Sequence, residues 1–363
     1  MSSEGKAAKT PPKSRWTQLT DEQLLQSTFH AHDPSALENV RIALPETSEV
    51  PEVEFTYNTK HTSGRLARCI HCKRDNHHKG FVLIFRDGTR ILVGRICGFN
   101  IYGADFGVMQ KDFERALDRH NVLRRRAAVL RISANFLQAL DELRSDEALR
   151  KYREAKKLFN RDMRHLSAAL ADACSRGGNL SVEDQVRDLE AEAHRDEIRE
   201  IADTRAGISI SERRPGKPIF KTMMRPIGTV AGQEFFKIDR KLPDTILDEA
   251  AVRAMGLLAS LSKDDGVLTS KYKNILMQIS DLIDEIEGEL RRLHSLDQAF
   301  EPENLALLAR WANAGSIGRK HYSAVAGALR CADGDAEKMI AKPAEYLVPR
   351  PPALDEARQA LSL

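Results

Sequence analysis

The chain has 363 residues, of which 30% are charged and 6% aromatic, with a formal net charge of +3 at pH 7 and a mean hydropathy of −0.43. This composition is typical of helical proteins with two or three domains and argues against a β-sandwich or a membrane protein. No apolar run approaches the roughly 18 residues of a membrane span, and the basic N-terminus has no hydrophobic segment behind it, so we expect no secretory signal and a cytoplasmic location.

Residues 1–48 are predicted to form a basic flexible tail followed by short helices. Thr20, with Gln23 three residues later, has the spacing of a capping box that opens a short helix through Leu25. Residues 49–105 are predicted to form a small α+β module. The alternation of apolar and polar residues at 53–57 favours a half-buried strand, and residues 81–85 and 89–93 are predicted to form a hairpin that turns at Gly88.

Three of the five cysteines lie around this predicted hairpin: Cys69 and Cys72 precede it and Cys97 follows it. A Cys-x2-Cys pair places two thiolates on one turn, as a tetrahedral Zn²⁺ ion requires, and a reducing compartment favours metal over disulfides. We therefore predict a structural zinc site, the alternative being three reduced core cysteines. Cys174 and Cys331 stand alone and are predicted to be small helix-packing residues.

The fourth zinc ligand is not fixed by spacing. His77 and His78 follow the Cys-x2-Cys pair at a suitable distance and are the favoured residues. Further options are His61 and Asp105, whereas His71 lies inside the turn, where its side chain would point outward. Three thiolates and an imidazole would leave no open position for a substrate, so the predicted role of the zinc is structural.

The region 68–106 resembles the treble-clef class of zinc fingers, in which a Cys-x2-Cys turn is followed by a hairpin and by a further ligand at the start of a helix. That class closes with a second Cys-x2-Cys pair, whereas in this chain Asn100 stands at the last position of the second pair. The resemblance covers this region alone.

Residues 60–96 carry nine basic against two acidic side chains, a net charge of +7. Such a surface is typical of proteins that bind phosphate backbones, and the interleaved Phe81, Phe85, Phe99 and Tyr102 either stack on bases or belong to a core. The predicted nucleic-acid-binding residues are Arg65, Arg68, Lys73, Arg74, Lys79, Arg86, Arg90 and Arg95.

Residues 106–205 are predicted to form a long helical, coiled-coil-like region. From Phe106 to Leu137, apolar residues recur at spacings of three and four, as in a coiled-coil seam, with His120 as a register-setting polar residue. Ser181 is predicted to cap a third, acidic helix that runs to about Ala202.

Residues 206–241, with a net charge of +6 over 205–241, are predicted to form a basic β insert with strand-like segments at 208–210, 217–221, 228–230 and 234–236. Residues 242–342 are predicted to be helical, including a second apolar seam that begins at Tyr272, and residues 343–363 to be an extended proline-containing tail. Two arrangements of the seam helices are possible. The acidic second helix packs antiparallel to the first, or each helix packs against its own copy in a homodimer. The sequence is consistent with both arrangements.

The predicted fold class is therefore mainly α, with long coiled-coil-like helices, a small N-terminal zinc-binding α+β module and a small β insert. The predicted function is zinc-stabilised recognition of nucleic acid, with the helices as stalk or dimerisation region. Two alternatives are an adaptor or assembly subunit, whose zinc module and β tip each bind a protein, and a regulatory subunit of an enzyme on another chain. No P-loop or Ser-His-Asp arrangement is present, so catalysis by this chain is not expected.

Overall fold

The computed structural model describes residues 14–45, 49–61, 64–73, 75–209, 216–263, 268–334 and 336–363, which are mainly α-helical with several small sheets, as predicted. The helices are α1 Asp21–Gln26, α2 Arg95–Ser145, α3 Glu147–Asp162, α4 Arg164–Ser175, α5 Leu189–Arg205, α6 Gln233–Phe236, α7 Pro243–Ser262, α8 Thr269–Ala299, α9 Pro302–Ala314 and α10 Pro352–Ser362. The strands are β1 His30–Ala31, β2 Glu52–Asn58, β3 Ala67–Arg68, β4 Asp75–His77, β5 Lys79–Ile84, β6 Arg90–Val93, β7 Asn179–Arg187, β8 Phe220–Thr229, β9 His321–Val325, β10 Ala328–Asp333 and β11 Ala336–Ala341.

The chain divides into two compact units, each built from separated stretches of sequence. The first unit comprises residues 1–134, 257–280 and 355–363, and the second comprises residues 135–256 and 281–354. The six-segment division made from the sequence stays a prediction, although the secondary structure of four of its segments is corrected below.

The first unit contains a four-stranded sheet in the order β1-β2-β5-β6, with β1 parallel to β2 and the other neighbours antiparallel. The predicted strand and hairpin are confirmed as β2, β5 and β6, and Gly88 adopts the positive φ of 83° that the hairpin turn requires. The predicted capping box is also confirmed, since Thr20 and Gln23 exchange both hydrogen bonds at the start of α1. Local sequence signals thus set these elements correctly.

Aromatic side chains form the core between this sheet and α2. Trp16, Phe29 and Phe113 are buried with ring centroids 4.7–5.5 Å apart, and Phe81 of β5 packs edge-on against Phe106 of α2 at 5.6 Å. The N-terminal part of α2 is therefore held by apolar packing and does not project freely.

The long helix α2 is interrupted at Gly103, whose φ of 55° and ψ of −129° lie outside the helical region. The apolar seam predicted along it is only partly confirmed. Phe106, Phe113 and Leu123 are buried, but Ala127 is exposed and Val129 is buried in its place. A straight α-helix drifts by about 20° per heptad relative to a 3.5-residue repeat, which moves the buried stripe away from the predicted positions.

The second predicted seam is buried throughout, from Tyr272 to Leu293 in α8. Within the first unit, α8 contacts α2 directly: Lys273 pairs with Asp118 at 2.6 Å, and the Arg126 guanidinium lies 4.9 Å from the Tyr272 ring centroid. The two seam helices therefore meet within one chain. The antiparallel direction of their packing and the homodimer stay predictions.

In the second unit, β7 and β8 form a long antiparallel ribbon, which corrects two predictions. Ser181 lies inside β7 and caps no helix. The acidic helix α5 begins at Leu189, where the Asp188 side chain accepts a hydrogen bond from the Ala191 N–H at 3.1 Å. Residues 234–236, predicted as strand, instead belong to the short helix α6, and the predicted strand at 208–210 lies partly outside the described residues.

The C-terminal predictions also need correction. Residues 322–330, predicted as helix, lie in the three-stranded sheet β9-β10-β11, with Ala326 and Gly327 at φ values of 47° and 76° in the β9–β10 turn. Two successive residues with positive φ are typical of a tight hairpin turn, which overrides the helix propensity of the surrounding alanines. The tail at 343–363 is not wholly extended, because it contains helix α10.

Candidate metal centre

A tight turn between β3 and β4 positions the first two cysteines. The Lys73 N–H donates to the Cys69 carbonyl at 2.9 Å and closes the turn, and Lys73 itself takes the left-handed conformation with φ 55°. Ile70 is buried and its N–H donates to the Leu92 carbonyl of β6 at 3.0 Å, which fixes the turn to the main sheet. The Cys-x2-Cys pair is therefore attached to the strand that leads to the third cysteine.

Cys97 reaches the same place because β6 ends at Val93 and α2 begins two residues later at Arg95. The sulfur atoms of Cys69, Cys72 and Cys97 all lie within 4.8 Å of one another. Sulfurs bound to one tetrahedral Zn²⁺ at about 2.3 Å stand roughly 3.8 Å apart. The cysteine cluster thus needs only small side-chain movements to hold a metal ion.

The surroundings of the cluster also favour the thiolate form of Cys69. Burial of Cys69 opposes ionisation, but hydrogen bonds from the Cys72, Gly94 and His71 backbone N–H groups, together with the adjacent His77 side chain, outweigh it and lower the Cys69 pKa to about 6. The Cys97 pKa is raised to about 12 by burial and by the neighbouring thiols. Without a cation, the negative charge of one thiolate disfavours ionisation of a second thiol in the cluster. A bound divalent ion would compensate this repulsion.

Of the two favoured histidines, only the ring of His77 lies beside Cys69. Its Nδ1 is 3.0 Å from the Tyr57 hydroxyl, while its Nε2 is buried without a hydrogen-bond partner among the described residues. The Nδ1 of His78 instead lies 3.1 Å from Thr59 Oγ1. Metal-bound histidines commonly use one ring nitrogen for the metal and the other for a hydrogen bond, so His77 fits a fourth ligand.

The other residues considered as a fourth zinc ligand are not supported by the structure. His71 is exposed, as predicted, and Asp105 lines a different cavity together with Val50 and Phe85. The side chain of His61 lies outside the described residues. Among the described residues, the three cysteine sulfurs lie within 4.8 Å of one another, but no histidine nitrogen is that close to all of them. His77 would therefore have to move towards the sulfurs to bind the same ion.

The donor set distinguishes this cluster from ordinary buried thiols. Cys72 and Cys97 are only partly buried, whereas Cys174 and Cys331 are buried and belong to no such cluster in the described part of the chain. Cys174 packs from helix α4 as predicted, but Cys331 packs from strand β10. Three sulfur ligands and an adjacent imidazole are a donor set that suits zinc, and the cluster can hold a metal ion.

Several of the predicted basic residues surround the cysteine cluster. Arg68, Lys73 and Arg95 stand within two residues of a cluster cysteine, are exposed, and form no ion pair with a described side chain. Lys79 and Arg65 are also exposed, whereas Arg74 lies outside the described residues.

Two predicted basic residues are engaged with acidic groups. Arg90 forms a bidentate pair with the buried Glu54 at 2.6 and 2.9 Å, so its charge belongs to the fold and it leaves the proposed binding set. Arg86 is exposed but pairs loosely with Glu49 at 3.6 Å. A guanidinium paired bidentately with a buried carboxylate has its charge compensated within the fold, which weakens its attraction for a phosphate.

The interleaved aromatic residues divide by exposure. Phe81 and Phe85 are buried in the sheet core and Tyr102 is half-buried, whereas Phe99 is 56% exposed. Phe99 lines a groove with Lys111 and Gly107. The sequence predicts these two residues only as part of the long helical region and not as part of a site. Glycines at 103 and 107 within an otherwise helical pattern were the available signal for this groove.

The basic segment 205–241 is partly neutralised by carboxylates outside it. Three of its cations form ion pairs with such carboxylates at 2.7–3.5 Å: Lys221 with Asp188, Arg225 with Asp184 and Lys241 with Glu249. The net charge of +6 read from the sequence therefore overstates the attraction of this segment for a polyanion.

A comparison with family models, with curated proteins and with solved structures found no match to this chain. Among the described residues, no helix combines the length and the apolar character that crossing a membrane requires.

Proposed function

We propose that this chain is a nucleic-acid-binding protein whose binding surface is stabilised by one Zn²⁺ ion. The proposed ligands are Cys69, Cys72, Cys97 and His77, and the proposed role of the metal is structural. With four protein donors, the ion would keep no open position for a substrate or an activated water.

One observation carries the nucleic-acid proposal: Arg68, Lys73 and Arg95 are exposed, unpaired with described side chains, and gathered by the three converging sulfurs. Surface cations in a folded protein usually have acidic neighbours, as the ion pairs of the second unit illustrate. A group of cations on one turn and on an adjoining helix start offers several contacts to phosphates.

A second function is favoured by a separate observation in the second unit. The ribbon β7–β8 and helix α5 expose Phe220, Met224 and Ile198, and Glu192 is the one fully buried side chain of α5. An exposed two-stranded ribbon with apolar side chains is typical of a protein-docking element. An adaptor or assembly subunit is therefore the alternative proposal.

The nucleic-acid proposal is tested by removing the three cations together, as Arg68→Gln, Lys73→Asn and Arg95→Gln. Asparagine is chosen at position 73 because it tolerates the left-handed backbone there. We expect the dissociation constant for a 20-nucleotide single strand to rise about 100-fold at about 0.1 M salt, and the slope of log K against log salt to become less steep by about 2. Fluorescence anisotropy titrations at several salt concentrations measure both quantities.

The matched control removes three exposed cations of the second unit, as Lys157→Gln, Arg164→Gln and Arg199→Gln, which form no ion pair with a described residue. It changes the net charge equally, so long-range attraction falls equally in both variants. Equal weakening by both triple variants would contradict a binding surface at the cysteine cluster. Absence of binding to single or double strands by the wild-type protein at low salt would leave the adaptor proposal.

A further inference from the structure

The interruption of α2 at Gly103 creates a groove beside the cysteine cluster. Residues 95–102 form a short helical segment that carries Cys97, and the long helical segment resumes after Gly103. Arg95, Ile96, Phe99 and Asn100 line the groove from the short segment, and Gly107 and Lys111 line it from the long segment. The depression has a volume of about 390 Å³.

The wall of this groove is an aromatic ring that the fold leaves uncovered. Phe99 is 56% exposed and its neighbour Ile96 is 76% exposed, although both stand on the helical turn that carries Cys97. Opposite them, a Cβ added at Gly107 would meet no atom within 4 Å, so the absence of a side chain there leaves open space. The groove therefore offers a flat apolar surface with room above it.

The polar groups around the ring are arranged for an anionic ligand. Arg95 and Lys111 lie on the two sides of the groove, are exposed, and form no ion pair with a described residue. The acidic lining residue, Glu114, accepts a hydrogen bond from the Gln110 amide at 2.6 Å. Asn100 adds an exposed amide, which can both donate and accept hydrogen bonds.

We propose that this groove binds an unpaired base of single-stranded nucleic acid, with the base stacked on Phe99 and the adjoining phosphates at Arg95 and Lys111. This inference rests on the proposed nucleic-acid function and specifies its substrate class. Base stacking on an exposed aromatic ring needs an accessible π-face, which every unpaired base has and which a base pair inside a duplex lacks. Cations on both sides of the ring complement a phosphate backbone, whereas an apolar protein segment would leave both charges without partners.

The test uses the full-length protein with oligo(dT) of 20 nucleotides and a duplex of the same length as probes. Phe99→Leu keeps an apolar side chain but removes the ring, and we expect single-strand affinity to fall about tenfold with duplex affinity unchanged. Phe99→Trp is expected to keep the affinity and to show fluorescence quenching on binding that the wild-type protein lacks. Phe220→Leu is the matched control, because Phe220 is similarly exposed, at 57%, and belongs to strand β8 of the second unit.

A second variant fills the groove and leaves the ring in place. Gly107→Leu is expected to weaken single-strand binding about tenfold and to leave the fold intact, because leucine favours the helical conformation at this position. If the wild-type protein binds single strands and the cation variants weaken that binding, but Phe99→Leu and Gly107→Leu bind like the wild type, the groove inference is wrong and the proposed function stands. If the wild-type protein binds no nucleic acid, both are wrong.

Discussion

The Cys72→Ser variant is expected to lose its metal and to unfold at a lower temperature than the wild-type protein. We expect natively purified wild-type protein to contain about one Zn²⁺ per chain and the variant to contain almost none, because serine is a poor zinc ligand and the turn would hold only two thiolates and an imidazole. A ligand present at about 1,000 times its dissociation constant stabilises the folded state by about 4 kcal/mol. For a unit of this size, that free energy corresponds to a shift in Tm of about 10 °C.

Elemental analysis measures the metal content, and thermal unfolding with and without a chelator measures the shift. The chelator should lower the Tm of the wild-type protein and leave that of Cys72→Ser unchanged. Cys174→Ala is the control for loss of a thiol as such, because Cys174 is buried in the second unit and stands apart from the cysteine cluster. A wild-type protein without bound metal, or with a disulfide between cysteines of the cluster, would contradict the proposed centre.

Only part of the module is expected to depend on the metal. The sheet shares its core with Trp16, Phe29 and Phe113, which need no ion to pack. The turn between β3 and β4, by contrast, is joined to the sheet by the buried Ile70, whose N–H donates to the Leu92 carbonyl. We therefore expect metal loss to release the turn and the first helical segment of α2 before the sheet unfolds.

The elements that could be predicted from the sequence depend on short-range chemistry. The capping box at Thr20 and Gln23 and the hairpin turn at Gly88 are local, and each occurs where its residues predict it. The convergence of Cys69, Cys72 and Cys97 followed from the same reasoning, since a predicted hairpin between them returns the chain to its starting point.

The errors arose where distant segments decide the local structure. Ser181 and the residues after it satisfy a helix-capping pattern, but residues 179–187 pair with residues 220–229, about 40 positions later. In the same way, the charges of Arg90 and Arg225 are visible in the sequence, but their carboxylate partners Glu54 and Asp184 are identified only by the fold. A net charge counted along the sequence therefore overstates the charge available to a partner.

The metal centre and the proposed base-binding groove share one structural element. Cys97 and Phe99 stand on the same short helical segment, which begins at Arg95 and ends at the interruption at Gly103. A metal bound by Cys97 would fix this segment, and with it the ring and the cation at Arg95. Metal removal is therefore expected to weaken nucleic-acid binding even though the ion touches no nucleotide.

His77→Ala is expected to lower the affinity for Zn²⁺ about 1,000-fold, since it would remove one of four ligands. Loss of a group that only supports a ligand typically costs 10–100-fold, so the size of the effect separates direct coordination from a hydrogen bond to the Cys69 thiolate. His77→Cys is expected to restore tight binding with four sulfur ligands. Competition with a chromophoric chelator measures the affinities.

The matched control is His78→Ala, which removes the adjacent imidazole but leaves the ring of His77 next to Cys69. We expect this control to bind Zn²⁺ like the wild-type protein. Co²⁺ substitution provides an independent readout, because its absorption bands differ between three-sulfur and four-sulfur sites and should change from wild type to His77→Cys. An effect of His77→Ala below about tenfold, or a Co²⁺ spectrum that His77→Cys leaves unchanged, would show that the fourth position is filled by another group. The buried and unpartnered Nε2 of His77 would then need a different explanation.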